Sequence, residues 1–361
     1  MYNVKAYSAA SATSRLASTK IVRRDPTETD VQIEILFCGI CHSDLHQVRN
    51  QWSDFMPTVY PCIPGHEIVG RVTKVGSAVS SFKLGDLVGV GCMVDSDGTC
   101  PACKAGLEQF CPNTTFTYNL PDKHLGGVTY GGYSESIVVD QRFVLRVPAN
   151  LNLAGAAPLL CAGITTYNAL RHSGALPGDL VAVQGVGGLG HLGIQFAKKF
   201  GYKVAAIGRG PGNAALAKKL GAHVYIDSKA TTAAAELQKL GGAQVILATA
   251  PNSKAMSELI DGLGPNGKLM VVGAAFDPIE VTPLQLISGS RTIQGWASGT
   301  PTDAEDTLRF AELTGVRPMI ETYPLDKAAE AYARMMSGDA QFRVVLTMQG
   351  YLPSGIAADP A

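Results

Sequence analysis

The sequence has no excess of charge of either sign, since 30 Lys and Arg residues balance 30 Asp and Glu residues. A protein that binds nucleic acid normally has a basic excess, so this balance argues against that class of partner. The chain also has no run of about 18 or more apolar residues, and its first residues lack the apolar core of a secretory signal. These absences predict a soluble, cytoplasmic protein without a membrane-spanning helix.

Cysteine is too scarce for a disulfide scaffold, because the 361 residues include only eight of them. Seven lie between Cys38 and Cys111, and the eighth is Cys161. Such clustering in a chain without an export signal favours metal binding or catalysis. Cys38 and Cys62 have apolar or proline-flanked neighbours, and we expect them to be buried core thiols.

The length predicts two domains of about 150 residues or more. Residues 1–156 contain short apolar runs broken by glycine and proline, a pattern typical of a β-rich domain. From residue 157 to 297, apolar strand patterns alternate with helical patterns, which predicts an α/β domain with a doubly wound parallel sheet. Residues 298–361 contain a helical pattern and then the strand pattern FRVVLTM, so we expect this segment to return to the first domain.

A glycine-rich motif lies between the strand pattern VAVQ and the helical pattern HLGIQFAKKFG. In this context the glycines permit a tight turn, a close approach of backbone to a pyrophosphate, and close packing of helix on strand. The helix N-terminus then offers free N–H groups to the phosphates. The motif predicts a dinucleotide site that contains Gly185, Gly187, Gly188, Leu189 and Gly190.

The sequence after this motif indicates which dinucleotide binds. NAD sites usually have an Asp or Glu about 20 residues further on, yet residues 191–226 contain neither. The second strand pattern ends at Gly208 and is followed by Arg209, whose guanidinium could bind a 2′-phosphate. We therefore predict NADP(H) over NAD(H), while Arg209 as an ordinary solvated charge stays an alternative.

Two further motifs lie in the first domain. Cys41–His46 reads C-H-S-D-L-H, Gly65–Gly70 reads G-H-E-I-V-G, and Gly76 follows. With these motifs the chain resembles the zinc-dependent medium-chain alcohol dehydrogenases, and among them the cinnamyl-alcohol-dehydrogenase-like branch. The resemblance covers essentially the whole chain. It implies a GroES-like catalytic domain followed by a Rossmann domain and a C-terminal return.

The resemblance implies a catalytic zinc held by Cys41, His66 and Cys161, with Glu67 beside it or as a transient fourth ligand. Two thiolates and one imidazole compensate the charge of zinc and leave one position open, as catalytic sites require. Asp44 is the implied partner of the zinc-bound histidine ring, whose tautomer it would fix.

The resemblance also assigns a proton relay. Ser43 would hydrogen-bond the reacting oxygen, which zinc holds as an alkoxide, and His46 would pass the proton to solvent through the cofactor ribose. Hydride then moves between the substrate carbon and the nicotinamide.

Further positions follow from the same resemblance. His42 and Arg343 would lie near the cofactor pyrophosphate, and Thr165 near the nicotinamide. Trp52 and Met93 would line the substrate pocket, although both could be plain core residues.

The family normally has a structural zinc bound by four closely spaced cysteines. Here Cys100, Cys103 and Cys111 match three of those positions, but Asp97 replaces the first cysteine. A carboxylate can bind zinc, so we expect an Asp97–Cys₃ site of lower affinity than a four-cysteine site. Cys92 as a substitute ligand and an empty site with three free thiols stay open as alternatives.

These observations predict a zinc-dependent oxidoreductase that interconverts primary alcohols and aldehydes, aliphatic or aromatic, with NADP(H). The alternatives are the same chemistry with NAD(H) or on secondary alcohols and ketones, a zinc-free type of double-bond reductase, and a non-enzymatic binding module. A homodimer or homotetramer is expected from the family, and the physiological substrate stays open.

Overall fold

The computed structural model describes residues 1–348 of the chain, and the contacts between residues divide it into two units. The first unit contains Met1–Asp97, Asn113–Ala157 and the described chain from Ile320 onward. The second unit contains Gly98–Pro112 and Pro158–Met319.

The first unit is rich in β-structure. The first nine strands of the chain belong to it. They are β1 (Tyr2–Ser8), β2 (Ala17–Arg23), β3 (Asp30–Ile40), β4 (Ile68–Val75), β5 (Leu87–Val90), β6 (Met93–Asp95), β7 (Thr115–Phe116), β8 (Ser136–Asp140) and β9 (Leu145–Arg146). The helices in this part of the chain are α1 (His42–Val48), α2 (Pro101–Lys104), which belongs to the second unit, and α3 (Leu153–Pro158).

Strand β3 organises the first unit. It pairs antiparallel with β4 and with β8, and its Ile33 and Ile35 side chains are buried in a core that also contains Tyr133. Because β3 ends at Ile40 and α1 begins at His42, residue 41 lies at the turn where the strand gives way to the helix.

The second unit contains a six-stranded, all-parallel sheet in the order β12-β11-β10-β13-β14-β15. This is the strand order of a dinucleotide-binding Rossmann domain, and the predicted α/β class is confirmed. Every residue of β10 is buried, as expected for a strand covered on both faces. The strands are β10 (Leu180–Gln184), β11 (Lys203–Gly208), β12 (Val224–Asp227), β13 (Ala243–Ala248), β14 (Leu263–Val271) and β15 (Thr292–Gly295).

Helices flank these strands in the sequence. They are α4 (Ile164–Arg171), α5 (Gly190–Lys199), α6 (Ala214–Lys219), α7 (Ala233–Lys239), α8 (Ser253–Leu259), α9 (Pro283–Ile287) and α10 (Pro301–Thr314).

The chain then returns to the first unit through β16 (Ile320–Pro324), α11 (Ala328–Met336) and β17 (Arg343–Thr347). Strand β17 pairs antiparallel with β3, with Val344 opposite Ile40, and parallel with β16. The strand pattern FRVVLTM therefore does return to the first unit's sheet.

The return begins later in the sequence than residue 298. Helix α10 belongs to the second unit, because its Phe310 ring lies 5.2 Å from the ring of Tyr167 on α4 and 4.9 Å from that of Phe200. These aromatic contacts place residues 298–319 with the parallel sheet, and the crossing back occurs at Ile320.

The helical stretch Leu153–Arg171 is long and apolar enough to cross a membrane by length and composition. However, 83% of its most apolar window is buried inside the protein, as in the core helix of a globular domain. Packing in the protein core therefore explains why this stretch is long and apolar.

Candidate catalytic and cofactor sites

His66 is held in one tautomer by a fully buried carboxylate. Its Nδ1 lies 3.0 Å from Asp44 Oδ1, and an ionised carboxylate can only accept, so Nδ1 donates and, in the neutral ring, the lone pair is on Nε2. Burial disfavours the protonated imidazole, but the Asp44 carboxylate outweighs it and holds the pKa of His66 above its usual value. An imidazole oriented in this way is prepared to bind a metal ion.

The same carboxylate also orients Cys41. Asp44 Oδ2 accepts a hydrogen bond from the Cys41 backbone N–H at 2.9 Å, while Oδ1 accepts from the Gly65 N–H at 3.1 Å. Gly65 has φ of +106°, and a Cβ there would lie 2.6 Å from the Tyr133 ring. The turn before His66 therefore requires glycine.

Cys41, His66 and Glu67 form a compact set of potential metal ligands in the first unit. Their ligand atoms lie within 4.8 Å of one another, and all three residues are buried. Zinc binds sulfur, imidazole nitrogen and carboxylate oxygen in a tetrahedron at about 2.0–2.3 Å, so two ligand atoms of one ion are about 3.5 Å apart, and small side-chain shifts would bring these atoms to that spacing. The donor types and their spacing both fit zinc.

Glu67 has a buried cationic partner that the sequence did not reveal. Arg343 on β17 forms an ion pair with its Oε1 and also donates to the Ile40 carbonyl at 3.1 Å. Burial raises the pKa of Glu67 to about 7, while the Arg343 guanidinium acts in the opposite direction. Because Glu67 and Arg343 are 276 positions apart, no spacing rule could have paired them.

The glycine-rich turn of the second unit has the geometry of a dinucleotide cradle. Gly185 has φ of +97°, and a Cβ at Gly190 would lie 1.9 Å from the Gly185 carbonyl oxygen. In contrast, a Cβ at Gly187 meets no atom within 4 Å, so its backbone faces open space. Gly188 and Leu189 complete the turn before α5, whose N-terminus is the positive end of the helix dipole and favours a pyrophosphate there. These residues fit a dinucleotide.

Three thiols and a carboxylate come together in the segment that contains α2. The ligand atoms of Asp97, Cys100, Cys103 and Cys111 lie within 4.8 Å of one another. The set has the chemistry of a closed structural zinc site with one oxygen ligand. Cys92, the alternative ligand, is not in this group of described residues.

Comparisons with known proteins agree with this geometry. Residues 27–149 match the model of the alcohol dehydrogenase GroES-like domain, and residues 188–313 match the zinc-binding dehydrogenase model. The chain is 44% identical over 346 residues to the aldehyde reductase YahK of Escherichia coli, covering 95% of this chain and 97% of the relative. The chain belongs to the zinc-containing medium-chain dehydrogenases, in their cinnamyl-alcohol-dehydrogenase-like branch.

Solved structures of other branch members are similar to this dehydrogenase along nearly its whole length. The cinnamyl alcohol dehydrogenase SbCAD4 of Sorghum bicolor has a TM-score of 0.89 at 39% identity, with 96% of this chain and 98% of that chain covered. A structure of CAD from Helicobacter pylori complexed with NADP(H) has a TM-score of 0.87 at 34% identity, with 97% and 99% covered. The predicted family and fold are thus confirmed.

Helix α1 of this dehydrogenase contains both predicted relay residues. The Ser43 hydroxyl lies 3.7 Å from Cys41 Sγ, and His46 follows one turn later with Nδ1 2.6 Å from Gln51 Oε1. His42, at the start of α1, is exposed. The structure therefore places Ser43 next to Cys41 of the donor set, and His46 one helical turn further along α1.

The two predicted substrate-pocket residues have different surroundings. The Trp52 ring is half-buried and lies 5.5 Å from the His46 ring, next to the relay. Met93 is buried in the core of the first unit, where Thr114 Oγ1 lies 3.5 Å from its sulfur.

The remaining predicted site residues lie in the second unit. Pro158 lacks an N–H donor, so the helical ladder is interrupted there, and the next turn, Leu159–Gly163, is π-helical. Cys161 lies in this turn and is half-buried, and Thr165 follows at the start of α4. Arg209 is exposed directly after β11 ends at Gly208.

Sequence reasoning missed two residues that shape these sites. His191 Nδ1 donates to the Gly187 carbonyl at 2.9 Å, and its Nε2 accepts from the Met319 N–H at 3.2 Å, which ties the glycine turn to the end of the second unit. Asn113 Nδ2 donates to Asp97 Oδ2 at 3.0 Å. Neither residue belongs to a motif, so only the three-dimensional contacts reveal these roles.

Proposed function

We propose that this dehydrogenase interconverts primary alcohols and aldehydes with NADP(H), using a zinc ion held by Cys41, His66 and Cys161. The observation that carries the proposal is the buried donor set whose histidine has its lone pair on Nε2. Cys161 supplies the second thiolate, from a π-helical turn of a kind that is common at functional sites. Glu67 follows His66 directly and is proposed as a transient fourth ligand, which Arg343 otherwise holds in an ion pair.

The bound zinc supplies Lewis acidity that makes the substrate hydroxyl easier to deprotonate and the aldehyde easier to reduce. The chain moves the proton. Ser43 Oγ would accept it from the substrate hydroxyl while the hydroxyl proton of Ser43 leaves by way of the cofactor ribose, and His46 would pass that proton to solvent. Nδ1 of His46 is engaged with Gln51, so the accepting nitrogen of the neutral ring is Nε2. Asp44 keeps His66 and Cys41 in place throughout.

NADP(H) is proposed as the cofactor because no acidic residue occurs from 191 to 226 and Arg209 is exposed after β11. The resemblance to a CAD structure complexed with NADP(H) supports this choice. Gly185–Gly190 would bind the pyrophosphate, with Thr165, His42 and Arg343 as further proposed contacts.

A second zinc is proposed in the segment that contains α2, with Asp97, Cys100, Cys103 and Cys111 as ligands. The substrates are proposed to be small aliphatic or aromatic aldehydes and their primary alcohols, with Trp52 and Met93 lining the pocket. We also propose a homodimer or homotetramer in the cytoplasm, a compartment whose reducing conditions keep these thiols available to metal.

The test is NADPH oxidation against a panel of aliphatic and aromatic aldehydes, with zinc content measured on the same protein. We expect turnover to be lost after chelation and restored by zinc. His66→Ala should abolish turnover and remove one zinc per chain while NADPH still binds. His124→Ala, which changes an exposed histidine of the same unit, is the matched control. Full activity of His66→Ala would refute the proposal.

A further inference from the structure

Tyr225 occupies the space where a side chain at position 208 would lie. Strands β11 and β12 are parallel, with Ala206 opposite Tyr225 and Gly208 opposite Asp227. Side chains two residues apart on a strand share a face, so residue 208 and Tyr225 are diagonal neighbours on one face of the sheet.

The overlap is severe. A Cβ on Gly208 would lie 2.3 Å from Tyr225 Oη and 3.0 Å from its Cε2 and Cζ, and these are the three nearest atoms. Gly208 does not have a positive φ, so its backbone would accept any residue. The Tyr225 side chain, rather than the backbone conformation, therefore requires glycine at this position.

Tyr225 is also held by a hydrogen bond, which it would lose if it moved aside. Its hydroxyl donates to the Gly210 carbonyl at 2.6 Å, and the Gly210 N–H donates to Asp227 Oδ1 at 2.7 Å. On the other side of residue 209, the Gly208 carbonyl accepts from the Ser228 N–H at 2.9 Å and the Ser228 hydroxyl at 3.0 Å. Both neighbours of Arg209 are thus fixed by β12 and the residue after it.

Position 208 is the last residue of β11, close to where NAD-binding chains of this fold have the Asp or Glu that binds the ribose 2′-hydroxyl, about 20 residues after the glycine motif. We propose that Tyr225 is a positioning residue for cofactor specificity: it keeps position 208 free of a carboxylate and holds the loop that presents Arg209 to a 2′-phosphate. This inference rests on the proposed NADP(H) preference. Tyr225 acts through position 208 and the Arg209 loop and does not itself touch the cofactor.

The test is a double-mutant cycle in the zinc-loaded enzyme, with dissociation constants for NADPH and NADH measured by titration calorimetry. Gly208→Asp alone should weaken NADPH binding by about tenfold, because the new carboxylate repels the 2′-phosphate. It should not strengthen NADH binding, because Tyr225 displaces the carboxylate from the position where it could bind the ribose. Adding Tyr225→Ala should then tighten NADH binding. In the double variant, the ratio of the NADPH and NADH dissociation constants should change about tenfold more than the product of the changes in the two single variants. Tyr225→Phe, which keeps the ring but loses the Gly210 hydrogen bond, should weaken NADPH about threefold or more.

Two controls keep the result interpretable. Gly212→Asp puts a carboxylate in the same loop at a position where a Cβ meets nothing within 4 Å, so it should show no coupling to Tyr225→Ala. Gly208→Ala should lower both the melting temperature and NADPH affinity, and Tyr225→Ala should rescue both. An NADH preference from Gly208→Asp alone, or no coupling in either cycle, would overturn the inference. A wild-type enzyme that prefers NADH would refute the cofactor proposal instead, while the coupling between positions 208 and 225 would still be measurable.

Discussion

Asp44 hydrogen-bonds both of the zinc ligands proposed in the first unit, Cys41 and His66, so Asp44→Asn should weaken zinc binding strongly although it changes only one side-chain atom. The carboxylate is fully buried and accepts from the Cys41 N–H, the Gly65 N–H and the His66 Nδ1–H. The Tyr133 hydroxyl also donates to Oδ2, at 3.3 Å. An asparagine amide has one accepting oxygen and one donating NH₂ group, so it cannot replace both carboxylate oxygens.

Each of the two orientations of the new amide loses at least one hydrogen bond that the carboxylate accepts. If the NH₂ group points toward Gly65 and His66, it meets the His66 Nδ1–H, and both groups are donors. The clash is relieved only if the ring proton moves to Nε2, and Nε2 then has no lone pair with which to bind zinc. With NH₂ toward Cys41, the Cys41 N–H loses its acceptor at the turn between β3 and α1. Outer partners of zinc ligands typically contribute about 10- to 100-fold in affinity, or about 1.4–2.7 kcal/mol, and Asp44 serves two ligands. We therefore expect an affinity loss near 100-fold.

The assay is competition for zinc between the enzyme and a chromophoric chelator, followed by the rate of aldehyde reduction at saturating zinc. Asp86→Asn, which changes a turn carboxylate that accepts from the Lys83 N–H, is the matched control and should leave zinc affinity unchanged. Zinc affinity of Asp44→Asn within about twofold of wild type would refute the assigned tautomer of His66.

Three further changes test other parts of the structure. Asp30 is buried, and although burial raises its pKa, hydrogen bonds from Arg24 and Thr27 lower it to about 2, below its value in the unfolded chain. The stability it contributes, up to about 2 kcal/mol, is therefore fully present above about pH 4 and is lost as the pH falls toward 2, so denaturant midpoints of wild type and Asp30→Asn should converge over that interval. Cys103→Ser should remove one zinc per chain and lower the melting temperature, whereas NADPH affinity should stay within about twofold; two zinc ions in this variant, by elemental analysis, would contradict the Asp97–Cys₃ assignment. Arg209→Ala should raise KM for NADPH by about tenfold or more and leave KM for NADH nearly unchanged, as expected for a charge-assisted contact made only to a 2′-phosphate; equal effects on both cofactors would show that Arg209 does not select between them.

The parallel sheet could be predicted from the sequence because its strands are apolar throughout and its helices follow at short intervals. The pattern KVAAIG, for example, coincides with β11, and HLGIQFAKKFG overlaps α5, which ends two residues before the pattern does. The motifs around Cys41 and His66 likewise pointed to two potential metal ligands, and the structure places their ligand atoms within 4.8 Å of one another. Local patterns of this kind are strong where the structure itself is local.

Contacts between distant parts of the chain could not be predicted in the same way. The Glu67–Arg343 pair joins residues 276 positions apart, and α10 joins the second unit through aromatic packing that its helical pattern does not encode. Asn113 beside Asp97 is another case, because an isolated asparagine has no motif to mark it. Each of these depends on tertiary packing, about which a single sequence has little to say.

Glycine illustrates how the two kinds of information differ. In the sequence a glycine predicts a turn, and at Gly65 the positive φ agrees with that prediction. Gly39 and Gly208 have no positive φ, yet a Cβ on either would collide with a functional side chain: 1.9 Å from Glu67 Oε2 and 2.3 Å from Tyr225 Oη respectively. At both positions the glycine is needed because a neighbouring residue occupies the missing Cβ's space. Substitution there should therefore act first on the neighbour, moving the Glu67 carboxylate away from Arg343 in one case and releasing the Arg209 loop in the other.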